Sequence, residues 1–355
     1  MELTRILRGV SRSFYLTLRL APRGVRSQLG VSYLFCRAAD TIADTALLPP
    51  ERRLDLLARY RAQFERPEPE AEVAEAIASE LTPAQSIPEE RTLLQSLGRC
   101  FAAYLAFSEG DRSLVRRLVT TLVGGMEIDL RTFPPSISPG VVTTGDCPEP
   151  IALADDAALD RYCYHVAGCV GEFWTDLTAA HVPSLARWDL ASMREKGVRF
   201  GKGLQMTNVL RDLVRDLRQG RCYLPRKRLL AAGIEPAELK GGPRPDHHLA
   251  ARLTPILHDL LDVTLDHYRV GWEYTLAIPR REPRLRLACA LPLLIGLETL
   301  ALLRGRPADL LAGENLKIPR RRVWRILAAA GGSVFSGRAL DRLYHRAEAA
   351  ARMES

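Results

Sequence analysis

The chain has 355 residues, 47% of them hydrophobic and 26% charged, with a formal net charge of +8. That length and apolarity supply a large core, and length alone would allow two domains. The positive balance suits anionic ligands or an anionic membrane surface, whereas a nucleic-acid role lacks interleaved aromatics and a recognisable module.

Seven cysteines are an odd number, and none forms a Cys-x-x-Cys. They read as buried reduced thiols in a cytoplasmic protein, not a disulfide frame or a zinc site. The histidines form no metal pattern, and the N-terminus has no signal-peptide core. Ala, Leu and Arg are abundant, aromatics are few, and 3.6-residue periodicity recurs from Arg5 onward. Without a linker or repeat, the expectation is one all-α domain over residues 1–355, built from about a dozen helices.

In chain order, Ser11 is a plausible N-cap for a helix carrying Phe14, Leu16 and Leu20 and ended by Pro22. The next helix runs from about Arg26 to Thr45, and an amphipathic one covers Glu51 to Phe64. Arg91 to Ser108 and Ser113 to Phe133 are expected as long core helices. Pro134 to Pro150 is the longest irregular stretch, either an exposed loop or a flap near a site. Asp155 or Asp156 can cap a helix holding Tyr162 to Gly171, where Ala167, Gly168 and Gly171 allow close helix contact or room for a ligand. A helix from Met193 to Leu217 stops at Gly220, and Arg221 to Pro225 turns into the next. Helices near 226–232, 247–276, 283–304 and 319–352 complete the chain. The apolar run Leu287 to Leu303 is interrupted by Pro292 and Glu298, and a mid-span acid costs roughly 2.5–3.5 kcal/mol in a membrane. It reads as a core helix, so no transmembrane anchor is expected.

Two acid pairs stand out, Asp40 with Asp44 and Asp212 with Asp216, each at helical i, i+4 spacing. Residues four apart share a face, so each segment aims two carboxylates one way. A lone pair of this kind is usually a solvated face. Here apolar flanks bury the helices, and Arg37, Arg211 and Arg215 mix the charge. Mg²⁺ takes a few carboxylate oxygens and leaves its other positions to water and phosphate, so facing pairs of this kind suit a metal-bound diphosphate.

In order and spacing, Ser11-Arg12-Ser13-Phe14, Tyr33 to Asp44, Tyr162 to Gly171, Gly203 to Asp216 and Gly220 to Pro225 resemble the blocks of the squalene/phytoene synthase family, closest in wording to its squalene synthase branch. The resemblance implies the all-α isoprenoid-synthase (terpenoid synthase) fold around a central apolar cavity. It also implies head-to-head (1′-1) coupling of two farnesyl diphosphates, through presqualene diphosphate, to squalene with Mg²⁺ and NADPH. The alternatives are a coupling enzyme that stops at presqualene diphosphate, dehydrosqualene or phytoene, and a non-catalytic assembly factor of the same fold.

Carried over by resemblance, Asp40, Asp44, Asp212 and Asp216 would hold the metal. Ser11, Arg12, Ser13, Phe14, Arg37, Gln205, Asn208, Arg211 and Arg221 would contact substrate, and Tyr33 and Tyr162 would face the reacting carbons. Ser11 is equally a helix cap, and a lesser reading makes Tyr162 a core tyrosine with its hydroxyl bonded. Lys317, Arg320, Arg321 and Arg322 sit where the branch carries basic residues implicated in cofactor phosphate binding, and a solvated or membrane-facing helix explains them as well. Two departures stand: Ala43 replaces the usual glutamate, and Cys289 to Leu294 lacks the aromatic and glutamine of the family's cavity helix. The resemblance leads to an expectation of a cytoplasmic enzyme of prenyl diphosphates, without nucleic acid, that touches the membrane peripherally for product release.

Overall fold

The computed structural model describes residues 2–10, 14–45, 48–66, 71–82, 85, 87–133, 148–240, 247–314 and 316–353. Nearly all regular structure is helical, and the chain forms two compact units. Ser11, Arg12, Ser13 and most of the Pro134–Pro150 stretch lie outside the described residues.

The first unit comprises described residues 2–133 and 173–188. Its helices are α1 (Glu2–Val10), α2 (Phe14–Leu20), α3 (Arg26–Asp44), α4 (Pro50–Glu65), α5 (Ala71–Leu81), α6 (Pro88–Gln95), α7 (Leu97–Leu105) and α8 (Glu109–Thr132). The expected helix from Arg91 to Ser108 is in fact two, because the backbone leaves helical geometry at Ser96 (φ −104°, ψ 6°). α3 packs on α4, α7 and α8. Phe35 of α3 has its ring centroid 4.8 Å from Phe64 and 4.9 Å from Phe101, and Tyr60 Oη donates to the Phe35 carbonyl at 3.0 Å. These contacts pin the helix that carries the first acid pair. At its C-terminus the buried Arg53 donates to the Ala43 carbonyl at 2.8 Å, satisfying an end carbonyl.

The second unit comprises described residues 148–172 and 189–353. α9 (Asp156–Cys163) is capped by the Asp155 carboxylate, which accepts from the Ala158 N–H at 3.0 Å. A π-helical turn, Tyr164–Gly168, leads into α10 (Cys169–His181), whose residues from 173 belong to the first unit. Next come α11 (Leu190–Arg211), α12 (Leu213–Leu217), α13 (Arg226–Ala231), α14 (His247–Ala277), α15 (Pro283–Gly305), α16 (Pro307–Leu311), α17 (Arg320–Ser333) and α18 (Gly337–Arg352). Two expectations need correction. The 319–352 helix breaks at Val334–Ser336 into α17 and α18. Arg221–Pro225 is a strand (β2) paired in parallel with Ile151–Leu153 (β1), not a simple turn. Gly220, at φ +75°, ends α12 as expected.

Within this unit α11 packs against α14 and the π turn, and α15 against α14, α17 and α18. α15 is long and apolar enough to cross a membrane, but 67% of its most apolar window is buried, as in a core helix. Cys289, Ala290, Leu291, Leu293 and Leu294 are all buried. The six cysteines among the described residues are free thiols, and burial pushes Cys100, Cys163, Cys169 and Cys222 up to about 12.

Candidate active site

In α3, Val31, Leu34, Phe35, Ala38, Ala39 and Ile42 are buried, turning Tyr33, Arg37, Asp40 and Asp44 to the other side as one stripe. Tyr33 Oη donates to the Val10 carbonyl at 3.3 Å. The Arg37 guanidinium lies 3.5 Å from Asp40 and also pairs with Glu90. Glu90 is 6% exposed and takes further bonds from Thr41 Oγ1 at 3.3 Å and Gln85 Nε2 at 2.9 Å. Burial pushes the Asp40 carboxyl up to about 7 and repulsion from Asp44 adds to it, against the pull of Arg37. The Asp40 side chain is nevertheless 41% exposed, so it is crowded by protein yet open to a soluble ligand.

The second acid segment departs from the single helix expected over Met193–Leu217. α11 ends at Arg211, and Asp212 (φ −94°, ψ 6°) separates it from α12. The Asp212 N–H still donates to the Asn208 carbonyl at 2.9 Å, and the Asp216 N–H to the Asp212 carbonyl at 3.0 Å. The two carboxylates therefore remain one helical turn apart. Arg211 grips Asp212 with two bonds, Nε at 3.0 Å and a terminal nitrogen at 2.7 Å, and Arg215 reaches it at 3.1 Å. Asp216 lies 3.4 Å from Arg215. Burial pushes Asp216 up to about 6, opposed by Arg215 and, more weakly, by Arg221, while Asp212 pushes it further up.

Upstream, Gln205, Asn208, Asp212 and Asp216 share a stripe. Asn208 Nδ2 donates to Gln205 Oε1 at 3.3 Å, and Gln205 Nε2 donates to Tyr162 Oη at 3.3 Å. The Tyr162 ring stacks on Tyr223 of β2, with centroids 4.4 Å apart. Tyr162, Gln205 and Asn208 therefore form one polar chain, and the short sheet holds its aromatic wall. The π turn begins two residues after Tyr162, and such bulges are frequent at functional sites.

Glycines set this geometry. A Cβ on Gly171 would sit 1.9 Å from the Gly197 carbonyl oxygen, and one on Gly201 would sit 2.1 Å from that of Ala167. The backbones touch there, as expected for Gly171. Gly296 makes room for the Tyr268 hydroxyl, which bonds Thr207 Oγ1 at 2.8 Å and ties α11 to α14 and α15 beside Asn208.

Phe14 opens α2. Lys317, Arg320, Arg321 and Arg322 are exposed, and Arg322 makes a two-bond ion pair with Glu298 (3.0 and 2.7 Å). Sequence reasoning missed Glu90, Tyr223, Arg53 and the Gly197/Gly201 contact. An i, i+4 glycine pair on a long helix is the one signal that could have flagged the last.

No group of three or more Asp, Glu, His or Cys able to hold a metal ion occurs among the described residues. Each acid pair supplies only two carboxylates. Such a set fits a hard cation that takes its remaining ligands from phosphate and water. Positive charge would also relieve the repulsion within each pair.

The model of the squalene/phytoene synthase family matches residues 7–322, and the chain belongs to that family. A bifunctional lycopene cyclase/phytoene synthase of Blakeslea trispora is 31% identical over 225 residues, 62% of this chain and 32% of the relative. A squalene synthase of Mycosarcoma maydis is 24% identical over 311 residues, 84% of this chain and 49% of the relative. The chain thus spans less than half the length of these two curated relatives. Among solved structures, TcSQS with the ligand E5700 superposes with TM-score 0.71 at 21% identity, covering 99% of this chain and 97% of that one. This likeness shows the fold, the all-α architecture of the squalene synthases.

Proposed function

We propose that the protein is a prenyltransferase that joins two farnesyl diphosphates head to head (1′-1), through presqualene diphosphate, to squalene with NADPH. We take both units as one isoprenoid-synthase domain, acting in the cytoplasm at the membrane periphery. The observation that carries the reading is the pair of arginine-flanked carboxylate sites. In each, burial raises a carboxyl, Asp40 to about 7 and Asp216 to about 6, and the like charge of the neighbouring aspartate adds to the rise. Such repulsion persists where a cation and its phosphate are meant to sit.

Bound Mg²⁺ would supply positive charge against the charge that develops on a departing diphosphate. Asp40, Asp44, Asp212 and Asp216 would hold it, while Arg37, Arg211 and Arg221 orient diphosphate oxygens, with Ser11, Arg12 and Ser13 as further donors. Asn208 and Gln205 would fix the polar wall. The ring faces of Tyr33 and Tyr162 would stabilise an allylic cation by about 0.5–2 kcal/mol each. The Tyr162 hydroxyl, held by Gln205, would orient or relay a proton. Lys317, Arg320 and Arg321 would take the phosphates of NADPH, which when bound supplies hydride. Arg322, committed to Glu298, contributes less than the sequence suggested.

A second reading stops the coupling earlier, at presqualene diphosphate, dehydrosqualene or phytoene. Ala43 in place of a glutamate, and the engagement of Arg322, favour it. Four intact aspartates with their arginines argue against a non-catalytic assembly factor. The test is incubation of purified protein with farnesyl diphosphate and Mg²⁺, with and without NADPH, followed by identification of the product. Squalene that appears only with NADPH is the expected result. The same product in both arms removes the reductive step, and no product at all removes the enzyme reading.

A further inference from the structure

α17 carries an apolar and basic face that nothing in its own unit covers. Its inner side is set by Ile326, Ala330 and Val334, all buried at four-residue spacing. On the opposite side Trp324 is 68% exposed and Phe335, just past the helix end, is 67% exposed. They are the only large aromatics so exposed among the described residues. Eleven residues separate them, which on a 3.6-residue helix is a rotation of only about 20°. Ala328 and Gly332 lie between them, and a Cβ on Gly332 would meet nothing within 4 Å. Arg320, Arg321 and Arg325 flank this stripe, all exposed, and the segment RRRVWRILAAAGGS contains no acid.

The presentation is rigid. Arg286, 2% exposed, donates to the Val334 carbonyl at 3.1 Å from beneath, fixing the turn that bears Phe335. Trp272 stacks on Tyr344 with centroids 4.5 Å apart and donates to Asp341 at 2.8 Å, seating α18 beside it.

We propose that this face of α17 lies in the interface of an anionic lipid membrane, with Trp324 and Phe335 inserted at headgroup depth and Arg325 against lipid phosphates. An aromatic stripe bordered by arginines without a compensating acid matches such a surface in both chemistry and charge. A soluble dinucleotide held by Lys317, Arg320 and Arg321 would not need two solvent-facing rings three turns apart. The inference rests on the membrane-peripheral part of the function proposed above and not on its chemistry, so vesicle binding and product formation can fail separately.

The experiment is co-sedimentation of the full chain with vesicles of phosphatidylcholine alone or with added phosphatidylglycerol, in the absence of substrate and cofactor. The protein is expected to pellet with the anionic vesicles and not the neutral ones, with a blue shift of tryptophan emission. The double variant Trp324→Ala, Phe335→Ala should weaken binding at least about tenfold. Arg325→Glu should weaken it about fivefold or more. Circular dichroism and melting should be unchanged, because these side chains are exposed. Failure of the wild type to pellet with anionic vesicles, or variants that bind as the wild type does, overturns the proposal. So does self-association through the two aromatics without vesicle binding, which would make the face a protein–protein surface.

Discussion

Tyr162 is held from two sides: its ring rests on Tyr223 at 4.4 Å and its hydroxyl accepts from Gln205 at 3.3 Å. Tyr162→Phe keeps the first contact and removes the second. Under the proposed reaction, kcat should fall about 10²-fold with KM and melting little changed, as steady-state kinetics would show. An unchanged rate would make Tyr162 a packing residue. His267 offers a prediction independent of the reaction. It is 8% exposed, and its Nδ1 accepts from Arg199 Nε at 2.6 Å, so the ring must be neutral there. Burial lowers its pKa to about 4, with Arg199 and Lys202 adding to the shift and Asp160 and Asp266 opposing it. A lowered folded-state value means that the unfolded chain binds the proton first. This stability is therefore complete above about pH 6.5 and is lost as pH falls toward 4. Urea unfolding at pH 7.5 and 5.5 should show a loss of about 1 kcal/mol more in the wild type than in His267→Gln, whose amide can still accept from Arg199. Identical losses in both proteins would remove His267 as the cause. The sequence did show which residues could carry charge at the site. It could not show their partners, because the Glu90 that holds Arg37 is 53 positions away and marked by no spacing rule.

At the level of elements, α11 approaches the π turn and α10 through bare backbone. Gly201→Ala would place a methyl group 2.1 Å from the Ala167 carbonyl oxygen, a backbone atom that cannot step aside by rotation. The helices must separate, which should cost about 1–3 kcal/mol or more, read as a lower denaturant midpoint with an unchanged slope. Gly124→Ala, where a Cβ meets nothing within 4 Å, is the matched control and should hold or gain stability. Helix positions were largely legible: α3, α8, α14 and α15 fall within a few residues of where periodicity, prolines and caps put them. The breaks were not. Neither Ser96 nor the Val334–Ser336 turn is flagged by a proline, and the residues around both keep helical periodicity. β1 and β2, three and five residues long, are too short to develop a period-two pattern, and they pair across 70 positions of chain.

For the molecule as a whole, the fold class was legible because composition, periodicity and ordered motifs agree, and agreement across levels is what specifies a fold. The acid pairs were legible because four-residue spacing on a helix is a strong geometric statement. Their electrostatic state was not, since it depends on burial. Each pair offers only two carboxylates, so Mg²⁺ alone should bind weakly at either. Diphosphate alone would bring more negative charge to carboxylates that already repel one another. Together they should bind tightly, because phosphate oxygens complete the coordination that the protein leaves open. In a thermal-shift experiment, Mg²⁺ or inorganic diphosphate singly should therefore move Tm little, while the two combined should raise it by several degrees. At about a hundredfold excess over Kd the linkage is worth about 2.7 kcal/mol. Under the proposed function, the double variants Asp40→Asn with Asp44→Asn and Asp212→Asn with Asp216→Asn should each abolish the combined shift. A shift that survives either double variant would show that the segment concerned is not needed for it, and the proposed role of its two aspartates would fall.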